Sequence, residues 1–460
     1  MRTPIADFIK KYAESETVRF HMPGHKGRGS FSFEKYDITE VKGADSLYEA
    51  EGIIAESEEN ASRLFGSRKT LYSTEGSSQC IRAMLHLAAQ EWARKNGTAA
   101  VEEKPLFIAA RNVHKAFIYG AALEDADVKW LYDEGDEPSL CACRVIPETV
   151  EEILAAELRP VAAVYITCPD FLGNMNDVKK IADICHRYGT LLLVDNAHGA
   201  YLHFLEKPVH PLDLGADMCC DSAHKTLPVI TGGAYLHIGK NAPGSLGADA
   251  RQAMALFGST SPSYLIMGSL DECNRYLNEK AREEFPACAA RLASLREKLE
   301  KNGWDVKRDT DPLRLTLRAD GKETGILTAE KLRAGGVECE YADPEYVVLM
   351  VSPFNSEEDL ARAAEILGVK EKNGQAVKPG PVHTEELKLE QKISIRKAVF
   401  APSEMIDADK SAGRVCAALA VSCPPAVPIA VSGEIIDEKA VAVLKHYGIE
   451  KISCVCQKNL

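Results

Sequence analysis

From about residue 69 to 238, short continuous apolar runs alternate with longer stretches of helical periodicity. The runs at 69–73, 106–110, 128–132, 161–167, 191–194, 218–221 and 234–238 read as strands. Most are apolar throughout instead of alternating, which fits burial on both faces. Between them, 77–95 places Ile81, Met84, Leu85 and Ala88 on one helical face, with Gly97 just past the end. A short helix is predicted from Val113, and another over 177–188, capped by Asn176 and closed by Gly189. Strands alternating with helices predict an α/β large domain with a mostly parallel sheet. A long helical stretch over 263–301 then leads to a smaller α+β domain. Its strands are expected near 313–317 and 346–351, and its helices near 329–334 and 356–367. A polar Pro/Gly linker at 370–381 precedes a C-terminal extension domain. The expected divisions are an N-terminal arm (1–60), a large domain (61–265), the small domain (266–370) and the extension (381–460).

Composition narrows the function classes. The chain has 460 residues, 45% hydrophobic and 27% charged, as in ordinary soluble proteins. A formal net charge of −13 argues against a nucleic-acid or anionic-membrane partner. No run of roughly 18 apolar residues predicts a membrane span. The first ten residues read as a short amphipathic helix, not a secretory signal. The 14 cysteines lie largely in apolar runs and read as reduced core thiols of a cytoplasmic protein. Cys141-x-Cys143 and Cys454-x-Cys456 lack a second ligand pair at zinc spacing, so no metal is expected.

Three positions carry the candidate chemistry. Lys225 follows the strand at 218–220, Asp195 ends the run at 191–194, and Gly76-Ser77-Ser78 opens a helix directly after a strand. In an open α/β sheet all three gather at the carboxyl edge, where ligands bind. Each type has a role in pyridoxal-phosphate chemistry. A lysine forms a Schiff base. A carboxylate keeps the pyridine nitrogen protonated. A helix N-terminus with hydroxyls takes the phosphate. Taken singly, each has a plainer reading as surface lysine, turn former or helix cap. The order of phosphate loop, stacking candidate His114, aspartate and lysine is the stronger signal.

These segments resemble the Orn/Lys/Arg decarboxylase family of fold type I pyridoxal-phosphate enzymes, in its short form. The likeness runs through Phe20-His21-Met22-Pro23-Gly24-His25-Lys26-Gly27, Gly43-Ala44-Asp45-Ser46-Leu47 and Ser73-Thr74-Glu75-Gly76-Ser77-Ser78. It continues in Asp195-Asn196-Ala197-His198-Gly199, Ser222-Ala223-His224-Lys225-Thr226-Leu227 and Phe257-Gly258-Ser259-Thr260-Ser261-Pro262. The resemblance implies decarboxylation of a basic L-amino acid in polyamine biosynthesis, with arginine preferred over lysine or ornithine. It implies Lys225 as the internal-aldimine lysine, Asp195 on the pyridinium nitrogen, and His114 and Ala197 on opposite ring faces. Gly76, Ser77, Ser78 and Ser222 would hold the phosphate, and His224 would sit beside phosphate or substrate carboxylate as a catalytic residue. Thr260 would reach the active site of the second subunit in a homodimer. Glu434 would meet the substrate's distal cation, or else be an exposed loop glutamate. The Pro23-Gly24-His25-Lys26 turn has no derived role. Asn196 stands where the family usually has Glu, and the segments at 423–428 and 432–434 also depart from its pattern. Other readings are an aminotransferase, with Arg314 on the substrate carboxylate, a β-eliminating lyase, or a non-catalytic coenzyme-binding protein.

Overall fold

The computed structural model describes residues 1–97, 103–133, 139–320, 323–370, 387–418, 427–456 and 458. Residues 371–381 of the expected linker and 423–426 of the C-terminal pattern lie outside these. In chain order, α1 (Pro4–Glu14) and α2 (Ile53–Phe65) precede β1 (Lys69–Ser73), α3 (Ser77–Asn96), β2 (Leu106–Ala110), α4 (Lys115–Leu123) and β3 (Asp127–Leu131). Then come α5 (Pro147–Ala156), β4 (Val161–Thr167), α6 (Val178–Arg187), β5 (Leu191–Asp195), β6 (Met218–Asp221), α7 (Ala223–Thr226) and β7 (Ala234–Ile238). After these, α8 (Gly244–Leu256), α9 (Tyr264–Glu279) and α10 (Ala281–Lys301) lead to β8 (Asp305–Val306), β9 (Arg314–Arg318) and α11 (Gly325–Ala334). The remainder is β10 (Tyr341–Ala342), β11 (Tyr346–Met350), α12 (Glu357–Leu367), α13 (Ile395–Phe400), β12 (Ser403–Asp407), α14 (Glu438–His446) and β13 (Lys451–Val455).

Seven strands form one sheet in the order β1-β7-β6-β5-β4-β2-β3. The pairs β2–β3 and β5–β6 are parallel, while β7 runs antiparallel to both β1 and β6. The carboxyl ends of β1, β5 and β6 therefore share one edge with the chain entering β7. The strands β2, β5, β6 and β7 are buried along their whole length, as their apolar runs require.

Contacts divide the chain into two compact units. The first comprises Met1–Gly97, Ala162–Val164 and Val178–Glu284; the second comprises Thr98–Val161, Tyr165–Asp177 and Phe285–Leu460. In the first, Asp271 accepts from Ile5 N (2.8 Å) and Ala6 N (3.0 Å), supplying the cap that the first turn of α1 lacks locally. The long stretch at 263–301 is two helices: Ser263 caps α9, and the chain breaks at Lys280 before α10. In the second unit, β10-β11-β9-β8 form a small sheet and β12–β13 a ribbon. There α4 starts at Lys115, because His114 is extended and its Nδ1 accepts from Ala116 N (3.2 Å). Asn176, expected to cap α6, accepts from Val145 N (2.9 Å). The C-terminal segment has its own core around Ile429, Ile436, Leu444, Ile452 and Cys454.

Among the described residues no cysteine is in a disulfide, and most are buried. Burial pushes the Cys141 and Cys143 thiols up, the latter to about 12, so both stay protonated. Among the described residues no helix is long and apolar enough to cross a membrane.

Candidate active site

The first unit brings its candidate residues to one edge. After β1 the chain turns through Gly76 at φ +70, a left-handed conformation that favours glycine. The Ser73 hydroxyl, shared between Gly76 O (3.0 Å) and Gln79 Oε1 (2.6 Å), fixes this turn. The Gly76 N–H is committed to Gly232 O at 2.7 Å, so it serves the turn and not an anion. The phosphate candidates are thus the first-turn amides and hydroxyls of Ser77 and Ser78, at the positive end of a 20-residue helix. A side chain added at Gly76 would meet nothing within 4 Å, so the space before this terminus is open.

Asp195 ends β5 with the residue 2% exposed. Its Oδ1 accepts from Ala197 N at 3.2 Å and from the Cys220 thiol at 3.6 Å. Burial keeps that thiol protonated. Ala197 itself is buried beside it. Directly after β6, the Ser222 hydroxyl donates to Ser77 Oγ at 2.8 Å, which joins the lysine's loop to the helix terminus. His224 lies on the one-turn helix α7, its Nδ1 3.0 Å from Gly233 O. Burial lowers its pKa, the Gly233 carbonyl offsets part of this, and the Lys225 charge lowers it further. Neutral His224 therefore carries its proton on Nδ1, toward that carbonyl.

The Lys225 Nζ lies 3.0 Å from His198 Nε2. His198 is 4% exposed, and no role was expected for it. The available signal was its place three residues after Asp195 in the Asp-Asn-Ala-His-Gly motif. The following glycine is forced: a Cβ at Gly199 would stand 2.1 Å from Asn196 Oδ1 and 2.6 Å from Leu202 Cδ1. Thr260 is exposed, on the segment whose Ser259 N–H bonds Glu75.

The remaining candidates belong to the second unit. His114 is half-buried, its ring oriented by its own capping bond. Glu434 is no exposed loop residue: its side chain is 1% exposed and its Oε2 meets Arg111 Nη2 at 3.2 Å and Val431 N at 2.6 Å. Arg111 also donates to Pro428 O (2.8 Å) and Ile429 O (3.0 Å). Arg314 is buried, its guanidinium on Phe171 O (3.2 Å) and Asp311 (3.4 Å), which is the setting of a structural arginine.

A part-buried lysine–histidine pair, a strand-end carboxylate and an open helix terminus on one edge are the donor set that a phosphorylated pyridine aldehyde requires. The profile described as Orn/Lys/Arg decarboxylase, major domain, matches residues 3–316. The chain belongs to this family. It is therefore a pyridoxal-phosphate-dependent decarboxylase acting on a basic amino acid. Relatives at similar length include the arginine decarboxylase of Halalkalibacterium halodurans, 27% identical over 97% of this chain and 93% of that protein. The arginine decarboxylase of Bacillus subtilis is 25% identical over 96% and 93%. Among solved structures, the Francisella novicida lysine decarboxylase LdcF superposes with a TM-score of 0.78 at 16% identity, covering 99% of this chain and 81% of that one. The lysine decarboxylase A of Pseudomonas aeruginosa gives the same score at 16% identity, over 98% and 80%. These likenesses show the fold type I architecture that the resemblance implies, with the mostly parallel sheet that the strand pattern predicts.

Proposed function

We propose that the chain converts a basic L-amino acid, arginine in preference to lysine or ornithine, to the corresponding amine, with pyridoxal phosphate held covalently by Lys225. The observation that carries this reading is the Lys225–His198 pair on the edge that also presents Asp195 and the α3 terminus. The arginine preference rests on relatives named arginine decarboxylases that match nearly end to end.

Bound there, the coenzyme supplies the electron sink for the bond to the departing carboxylate. Asp195 would keep the ring nitrogen protonated. Its second-residue amide contact from Ala197 orients the carboxylate, and the two residues together place the ring. Ser77, Ser78 and Ser222 would hold the phosphate at the helix terminus. Lys225 would return a proton to the substrate carbon, and His198 Nε2, 3.0 Å from Nζ, is placed to exchange that proton with it. His224, with its proton directed at Gly233 O, presents Nε2 as an acceptor and would meet a substrate carboxylate or phosphate as a donor only once protonated. Glu434 is engaged by Arg111, so we read the pair as a brace for the 111–114 loop in place of a direct ligand for the distal cation.

The active unit is a homodimer that shares its sites. The N-terminal segment exposes Phe20 (94%), Phe31 and Phe33, and Thr260 is exposed on the neighbouring-subunit segment. The test is carbon dioxide release and amine analysis with arginine, lysine and ornithine, with Lys225→Ala as control. Agmatine as the main product, no keto acid, and loss of both turnover and the coenzyme's visible band in the variant are expected. Normal turnover of Lys225→Ala overturns the assignment.

A further inference from the structure

Behind the cofactor face lies a second polar cluster. Side chains alternate across a strand, so Asp195 and Cys220 point to one face of the sheet while Cys219 and Asp221 point to the other. Register sets Asp195 beside Cys220, and the Asn196 N–H bonds Cys220 O at 3.0 Å. Asn196 thereby comes level with Asp221, and its amide Nδ2 donates to Asp221 Oδ1 at 2.6 Å. The Asp221 carboxylate, 0% exposed, also meets His210 Nε2 at 3.0 Å and His237 Nε2 at 3.1 Å. His237 in turn pairs with Thr70 through Nδ1 at 2.8 Å.

The proton directions follow from the backbone. Leu212 N donates to His210 Nδ1 at 3.3 Å, so neutral His210 carries its proton on Nε2 and donates to Asp221. That tautomer suits a hydrogen bond and opposes metal ligation through Nε2, although His210, Cys219 and Asp221 lie close enough to group around an ion. Asp221 is thus a buried anion met by donors. Burial alone would raise its pKa, but the two histidines hold it well below the usual carboxylate range.

We infer that Asn196 and Asp221 are a matched pair, in which the amide at 196 is required by the carboxylate at 221, and that this hydrogen bond sets the spacing between Asp195 and Lys225. The family's usual glutamate at 196 would aim a second carboxylate at a buried one, and like charges there repel without solvent to screen them. The departure at 196 is in this reading coupled to Asp221 and not a loss of function. Asn196 directly follows the ring-nitrogen partner, and Asp221 directly precedes the Ser222–Lys225 turn. The pair therefore ties the two strand ends that the coenzyme bridges. Asn196 and Asp221 are positioning residues, and the inference rests on the coenzyme site proposed above.

Asn196→Asp, Asp221→Asn and the reversed pair Asn196→Asp/Asp221→Asn test it. The readouts are the dissociation constant for pyridoxal phosphate, the pH midpoint of its visible band, and kcat against KM. Asn196→Asp is expected to weaken coenzyme binding at least about tenfold and to move the pH midpoint, and the reversed pair to recover both to within about threefold. Unchanged binding and midpoint in Asn196→Asp, or a reversed pair as poor as the two single effects added, overturns the inference. Where Asn196→Asp does not fold, a soluble reversed pair with near-native binding supports it and an unfolded one overturns it. Failure of the unsubstituted protein to bind coenzyme would instead refute the site itself.

Discussion

Removing the Glu434 carboxylate separates two roles for this residue. Glu434 and Arg111 are 1% and 4% exposed, so Glu434→Ala leaves a guanidinium buried without its counter-charge. Breaking such a pair from one side costs about 3–5 kcal/mol. Arg111 keeps the Pro428 and Ile429 carbonyls, which places the loss near the lower end, about 3 kcal/mol. At about 2–4 °C per kcal/mol for a unit of a few hundred residues, Tm falls by about 6–12 °C. Replacing both partners, Arg111→Met with Glu434→Leu, removes the orphaned charge. Its loss should be smaller than the sum of the single losses by about 2 kcal/mol or more. Thermal and urea denaturation followed by circular dichroism read the stability, and steady-state kinetics on arginine read KM. A brace lowers Tm and leaves KM within about threefold. If Glu434→Ala instead holds Tm within about 1 °C while KM rises at least about tenfold, the carboxylate faces the substrate and the reasoning fails.

Gly199→Ala adds a Cβ at 2.1 Å from Asn196 Oδ1, at φ −115 where alanine is otherwise tolerated, so the effect is steric. A loss of about 1–3 kcal/mol is expected by denaturation, with weakened coenzyme binding; a neutral variant would show that the Asn196 side chain yields freely. Burial raises Asp271 to about 6, against the donors Ser57, Ala6 and Ile5. An acid whose folded value lies above its unfolded value binds its proton more tightly when folded. Stability therefore falls as pH rises from about 4 to about 6 and is flat above, by an amount on the order of 2–3 kcal/mol. Asp271→Asn should flatten denaturation midpoints over that window, and an unchanged pH slope would refute the attribution.

The parts of the fold that were legible in the sequence are those where one physical constraint dominates. Strands covered on both faces are mostly apolar, and β1, β2, β4, β6 and β7 begin and end where the expected runs do. Where a helix buries polar groups the pattern fails. No helix was expected over α2, whose buried face includes Ser57, Glu58 and Asn60, and whose partners Tyr72, Asp271 and Arg251 lie far along the chain. Nor was a strand expected over β12, which is largely exposed and is held by its pairing with β13. The site divides the same way. Lys225, Asp195 and the α3 terminus are visible because strand ends and helix starts are local features. His198 belongs to the Asp-Asn-Ala-His-Gly motif, but only its 3.0 Å approach to Lys225 gives it a role. Asp221 read as a strand end, because its partners His210 and His237 stand 11 and 16 residues away with no local period connecting them. Asn196 read as a departure from a pattern for the same reason: a substitution is judged by its neighbours along the chain until the sheet supplies the neighbour across it. A carboxylate at 221 and an amide at 196 make sense only together, and it is the parallel register of β5 on β6 that puts them together.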